Sequence, residues 1–293
     1  MTAPDHPDGR GGRGAGANNL WLRVVSAAVL APVVLASTYV GGWLFLALCA
    51  LAAGGILWEW TALAAYRGDP RTLVPGSIAL LAGAVFVGVS LPADAWSTIA
   101  FGALLAGLVT GTWRRGHRAP NSAVWAAGGV IYAGAALLGP ALLRRDPEWG
   151  LTALLFLFAI VWITDIFAFY CGRAMGGPLL WPGVSPKKTW SGAFGGLAGG
   201  VVAGVAVAYA SGIGKLGIVG VMAFVLSVLA QAGDLFESAV KRRFGAKDSS
   251  HLIPGHGGLM DRLDGFLVAA FAALLIGILR QGMAAPARGL LVW

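Results

Sequence analysis

From residue 231 to 266 the sequence reads QAGDLFESAVKRRFGAKDSSHLIPGHGGLMDRLDGF, dense in acids, bases, glycine and histidine, in a chain that is 57% hydrophobic and only 12% charged. Asp234, Glu237, Ser238 and Lys241 recur every three or four residues, so on a helix they share a face. Asp261 and Asp264 repeat that spacing at the start of the next apolar run. Two carboxylate pairs thus meet at adjoining helix ends, joined by a loop of about 20 residues. Carboxylates so placed suit Mg²⁺, which takes one or two of them and fills its shell with water and substrate phosphates. The Gly255-His256-Gly257-Gly258 turn can present backbone N–H groups to an anion. Lys241, Arg242, Lys247 and Arg262 can hold phosphate oxygens, the arginines in bidentate fashion. The plainer alternative is a solvated loop, with Asp261 and Asp264 merely favouring a helix dipole. The coincidence of acids, bases, His and glycines argues against it.

Two earlier stretches carry related chemistry. In VWITDIFAFYCGRAMGG, Asp165 lies inside an apolar run, about a turn and a half before its end. An ionisable group there is costly and is a functional candidate, with a structural pairing to a helix neighbour or Arg173 as the equal alternative. In GVSPKKTWSGAFGG, Ser185-Pro186 breaks the chain, Lys187 and Lys188 follow, and a helix is expected to begin near Thr189. Free N–H groups at a helix start beside two lysines make an anion site. An ordinary basic loop is the alternative.

These residues must be positioned by membrane helices. Mean hydropathy is +0.75, and several apolar runs reach the ~18 to 20 residues that cross ~30 Å of hydrocarbon. The expected fold is all-α: a polytopic bundle with spans near 21–40, 43–62, 73–91, 95–111, 123–143, 151–171, 191–210, 215–236 and 262–281. Residues 1–19 read as a disordered tail, 20–145 as N-terminal membrane helices, 146–285 as the catalytic membrane region and 286–293 as a C-terminal tail. The first apolar run suits a retained helix better than a cleaved signal. With the N-terminus in the cytoplasm, sixteen Lys and Arg fall inside and five outside, the bias expected of cytoplasmic loops. All three chemical stretches then face the cytoplasm. The net charge of +8 is explained by that bias. No zinc-finger spacing or aromatic RNA-binding signature points to nucleic acid. Cys49 and Cys171 match no metal or redox spacing. Gly192, Gly196, Gly200 and Gly204 lie on one face of a helix. They permit close helix approach, within the bundle or across a dimer.

No phosphate-binding P-loop, nucleophile elbow or zinc-protease motif occurs, which leaves metal-assisted phosphoryl or nucleotidyl transfer as the best fit. Ser238, Lys241-Arg242, Lys247-Asp248, Pro254, His256-Gly257-Gly258, Asp261-Arg262 and Asp264 closely resemble the signature of the phosphatidate cytidylyltransferase (CDP-diacylglycerol synthase) family. DIFAFYCGRAMG and SPKKTW look like two further family blocks, and the resemblance covers roughly 150–281. Ser191 stands where the family commonly has Glu, and Gly265 where it often has Ser.

The resemblance implies that CTP and phosphatidic acid give CDP-diacylglycerol and pyrophosphate, with Mg²⁺ and room for a second cation. It implies an inner (plasma) membrane enzyme, and a homodimer is expected from the resemblance alone. The nucleophile would be a phosphate oxygen already ionised at neutral pH, so positioning and electrostatics carry the task. On this reading Asp234 and Asp261 hold the metal, with Asp165 and Asp264 as further ligands or orienters. Lys188, Lys241, Arg242, Lys247 and Arg262 bind phosphates, with Ser185, Lys187, Ser238, Gly257 and Gly258 lining the substrate site. His256 contacts a phosphate or protonates the leaving pyrophosphate. The rivals are a CTP-using lipid kinase, which would leave CDP and no lipid-bound cytidine, and an ion-coupled transporter using Asp165 and Asp234.

Overall fold

The computed structural model describes residues 28–66, 70–113, 121–250, 252 and 257–293. The expected start of the first span, the tail before it and His256 lie outside them. A helix over Ala28–Val40 (α1) turns at Gly41 and Gly42, whose φ values of 70° and 56° are ones glycine adopts without strain. The chain then enters α2 (Gly42–Thr61), which runs on as a π-helical turn over Ala62–Tyr66. There follow α3 (Pro70–Gly88), α4 (Pro92–Trp113), α5 (Ser122–Arg144) and α6 (Gly150–Met175). A two-stranded antiparallel hairpin comes next, β1 (Leu179–Trp181) and β2 (Ser185–Thr189), with Leu179 opposite Thr189 and Trp181 opposite Ser185. The chain ends with α7 (Trp190–Ala210), α8 (Leu216–Arg243), α9 (Met260–Gln281) and a short α10 (Pro286–Leu291).

Eight of these helices are long and apolar enough to span a bilayer, with α1 shorter over its described part. The all-helical membrane bundle expected from hydropathy is the fold. Its interior is built from Ile56, Leu57, Leu137, Leu154, Leu157, Ile160, Leu226 and Leu274, all fully buried. Phe101, Leu104, Ile78 and Val202 point outward, as a lipid-facing surface requires. Since lipid is as apolar as leucine, association must come from close packing and interhelical hydrogen bonds. The α7 glycines provide the first. A Cβ on Gly192 would lie 2.7 Å from Ala168 O, and one on Gly196 2.7 Å from Thr164 O, so this face packs on α6 within the chain. The second appears as a buried 2.8 Å bond between the hydroxyls of Thr164 on α6 and Ser227 on α8.

Three elements differ from the expectation. The basic segment before α7 is a β-hairpin, not an open loop. Gly176 closes α6 at φ 62°, and Thr189 caps α7 by accepting the Gly192 N–H at 3.1 Å. Helix α8 runs to Arg243 rather than ending near 236, so Ser238, Lys241 and Arg242 are helical. The last residues, read as a tail, form α10, with Ala287, Leu290 and Leu291 fully buried. Arg280 secures it by donating to Gly289 O and Val292 O and lying 3.4 Å from the Trp293 ring centre.

Candidate active site

The C-terminal ends of α2, α6 and α8 and the N-terminal ends of α7 and α9 meet on one face of the bundle. The polar residues there form two groups.

The first lies where α6, β2, α8 and α9 converge. Lys188, at the end of β2, makes an ion pair with Asp234 on α8, and the Ser238 hydroxyl is 3.5 Å from the other Asp234 oxygen. Both ion-pair partners stay about 30% exposed, at 30% and 32% of their side chains. Asp165 on α6 and Asp264 on α9 are within electrostatic reach of Asp234, of each other and of Lys188. The α8–α9 pair is pressed together at two glycines: a Cβ on Gly233 would sit 2.8 Å from Asp264 O, and one on Gly265 2.9 Å from Ala230 O. That approach brings Asp234 and Asp264 to one level. The group therefore pairs one ammonium with Asp234 and has two further carboxylates within electrostatic reach. Among the described residues no three His, Cys, Asp or Glu side chains form a ready-made ion cage. A hard cation such as Mg²⁺ needs no such cage when water and phosphate complete its shell. An all-oxygen donor set with excess negative charge fits that ion.

The second group lies one to two turns further along α8. Lys241 Nζ is 2.6 Å from Asp261 Oδ1 and 2.6 Å from Glu237 Oε2. The other Asp261 oxygen accepts the Ser249 N–H at 3.0 Å, the Ser249 hydroxyl at 3.0 Å and the Gly258 N–H at 2.8 Å. Asp261, expected as a metal ligand, thus spends both oxygens on protein donors. Gly257 holds φ 84°, open to glycine. At Gly258 a Cβ would fall 1.8 Å from Ser249 Oγ, so only hydrogen fits.

Beneath this group lies Glu59, from α2, which the sequence reading missed. It is fully buried. Its Oε1 accepts from Leu259 N at 2.7 Å and Ser250 Oγ at 2.5 Å. Its Oε2 accepts from Met260 N at 2.6 Å and Ser249 Oγ at 3.1 Å. Helix α9 has no side-chain cap from Leu259, its own N-cap residue, and Glu59 takes over that task. The signal was a lone acid in the apolar run LAAGGILWEWTAL, a cost that calls for a partner.

The remaining expected site residues lie around these groups. Ser185 is half-buried on β2, while Lys187 beside it is exposed. Arg242 donates to Ala246 O at 2.9 Å, bracing the turn after α8. Lys247 and Arg262 are exposed at the same face. Ser191, where the resembled family commonly has an acid, bonds instead to Thr189 Oγ1 at 3.0 Å and to Gly176 O, so it closes the hairpin on α7.

The chain as a whole has counterparts among known sequences. Residues 21–279 match the Cytidylyltransferase family. The chain belongs to the cytidylyltransferase family. It is therefore a nucleotidyltransferase embedded in a membrane. Phosphatidate cytidylyltransferase of Brucella abortus biovar 1 (strain 9-941) is 43% identical over 265 residues, 89% of this chain and 94% of that protein. The protein of the same name from Brucella suis biovar 1 (strain 1330) matches to the same extent. That of Staphylococcus epidermidis (strain ATCC 35984) is 42% identical over 131 residues, 44% of this chain and 49% of its own length.

Proposed function

We propose that this protein transfers CMP from CTP to phosphatidic acid, giving CDP-diacylglycerol and pyrophosphate for phospholipid biosynthesis. The observation that carries the reading is the partly exposed Lys188–Asp234 ion pair, with Asp165 and Asp264 within electrostatic reach, on membrane helices where a lipid head group and a soluble nucleotide can meet. The relatives' name, phosphatidate cytidylyltransferase, supplies the substrates. A lipid phosphate oxygen attacks the α-phosphorus of CTP, the bond to the β-phosphate oxygen breaks, and pyrophosphate leaves with that oxygen.

No strong base is needed, because the attacking oxygen is already ionised. The difficulty is repulsion between two polyanions. Mg²⁺ held by Asp234, with Asp165 and Asp264 as further ligands, would neutralise phosphate charge and assist the departure of pyrophosphate. Asp234 is favoured over Asp261 for that role, because both Asp261 oxygens already face donors of the protein, Lys241 Nζ on one and two backbone N–H groups on the other. Lys188 can swing from Asp234 to a phosphate when the substrate arrives. Lys241, Arg242, Lys247 and Arg262 orient the outer phosphates, and donors preset toward developing charge favour the transition state. The excess of Lys and Arg in the loops at this end favours a site facing the cytoplasm, the side on which basic loops collect.

The test uses purified protein in detergent with CTP labelled at the α-phosphate, phosphatidic acid and Mg²⁺. Label should enter the lipid phase only with both substrates and the metal. A labelled nucleoside diphosphate with an unlabelled, newly phosphorylated lipid would instead show a kinase. No lipid-phase label across several detergents would overturn the proposal.

A further inference from the structure

Glu59 makes contacts that neither the family match nor the proposed chemistry explains. It lies in the last turn of α2, in the half of the chain that carries none of the motifs. Both of its oxygens reach 190 or more residues along the sequence, each taking one backbone N–H from the start of α9 and one serine hydroxyl. Two N–H groups and the Ser250 hydroxyl donate to it, and it shares the single proton of the Ser249 hydroxyl with Asp261. Every bond it makes ends on the segment that holds Asp261. Ser249 Oγ is within hydrogen-bonding distance of both Glu59 Oε2 and Asp261 Oδ2, at 3.1 and 3.0 Å, so one hydroxyl proton is shared between the two acids. Asp261 in turn holds Lys241.

The packing around this chain of contacts leaves no slack. The Gly258 Cβ position lies within 2.9 Å of both Glu59 oxygens, and that of Gly55 on α2 lies 2.8 Å from Leu259 Cδ2. Helix α2 therefore touches the start of α9 through glycine on both sides. The first N–H groups of a helix need a partner. Here the partner is a carboxylate fixed in a different helix, which sets where α9 begins and how Asp261 is aimed.

We infer that Glu59 is a positioning residue for the reaction: it clamps the start of α9 to α2 and, through Ser249 and Asp261, fixes the Lys241 ammonium against the substrate phosphates. The N-terminal helices thereby form part of the catalytic apparatus. The inference rests on the proposed reaction for its kinetic consequence and on the contacts alone for the clamp.

Glu59→Gln keeps the size and replaces one acceptor oxygen with an NH₂ that faces N–H donors. In the full-length protein in detergent, amide hydrogen exchange at Leu259 and Met260 should quicken at least about tenfold, while exchange in α6 and α7 stays as in wild type. Turnover should fall by about 10²-fold, the scale of a misplaced catalytic group, with KM for CTP and for phosphatidic acid within about twofold. Glu59→Asp, which keeps two acceptors, should recover part of the turnover. Ser249→Ala should lower turnover while leaving the Leu259 and Met260 amides protected. The double variant Glu59→Gln/Ser249→Ala should turn over no more slowly than Glu59→Gln alone, because both act through one link. Wild-type turnover in Glu59→Gln, unchanged amide exchange, or a loss matched by uniformly faster exchange across all helices would each overturn the inference. If wild-type protein shows no transfer from CTP to phosphatidic acid, the reaction proposed above falls, and the exchange data alone decide the clamp.

Discussion

Asp234, inside α8, and Asp261, in the first turn of α9, both come from the same dense stretch of sequence. Their surroundings differ. Asp261 has both oxygens filled, by Lys241 Nζ, two backbone N–H groups and a hydroxyl. Asp234 has Lys188 and a long 3.5 Å contact from Ser238, remains 32% exposed, and has two further acids within electrostatic reach. A carboxylate whose lone pairs are satisfied by its own chain organises that chain. One left partly open among like charges is suited to a cation brought from outside. The same residue type therefore stands in two different settings, one filled by the chain and one partly open.

The sharpest way to break this contrast is Asp234→Asn. It removes charge from the open group and disturbs few internal contacts. Turnover should fall by about 10³-fold, the upper range for a single electrostatic contact, while the thermal midpoint in detergent changes little. The Mg²⁺ concentration needed for half-maximal rate should rise. A variant with full activity at the wild-type Mg²⁺ requirement would show that the open group is not the metal site.

Asp261→Asn tests the other side. It replaces one acceptor oxygen with an NH₂ that must face either Lys241 Nζ or the donors on the other oxygen. Turnover should fall by about 10²-fold. Unlike the change at Asp234, it should also lower stability, by about 1–3 kcal/mol for an unsatisfied buried group. The Mg²⁺ requirement should stay as in wild type. Denaturation in detergent with a Mg²⁺ titration separates the two variants, and a shifted Mg²⁺ requirement for Asp261→Asn would return Asp261 to the metal.

Most of the architecture could be read from the chain because hydropathy alone demands it: apolar runs of spanning length have few alternatives to helices. The spacing of Asp234, Ser238 and Lys241 likewise placed them on one face, and α8 carries them so. What could not be read was how lone pairs are shared out. The sequence paired Asp234 with Asp261 as equals, since both end an apolar run beside basic residues. The difference depends on Ser249, Gly258 and Glu59, whose approach to α9 is a tertiary fact. Glu59 is 200 residues from Leu259, and no local pattern links them. The hairpin before α7 was hidden for a different reason. Its strands are three and five residues long, too short for an alternating pattern, and Pro186 reads as a break.

Adjacent lysines on β2 give the finest version of the contrast, because strand geometry sends neighbouring side chains to opposite faces. Lys188 turns inward to Asp234, while Lys187 is exposed. Lys188→Gln removes the ammonium paired with Asp234. Turnover should drop by about tenfold or more, with KM for CTP raised, if that ammonium passes to a phosphate during the reaction. Lys187→Gln removes a solvated charge that salt already screens. Its turnover should stay within about twofold of wild type, with the residual effect fading as ionic strength rises. Steady-state kinetics at low and high salt would measure both. Equal losses in the two variants would mean that the lysines act together as a diffuse basic patch, and that the inward turn of Lys188 has no part in the chemistry.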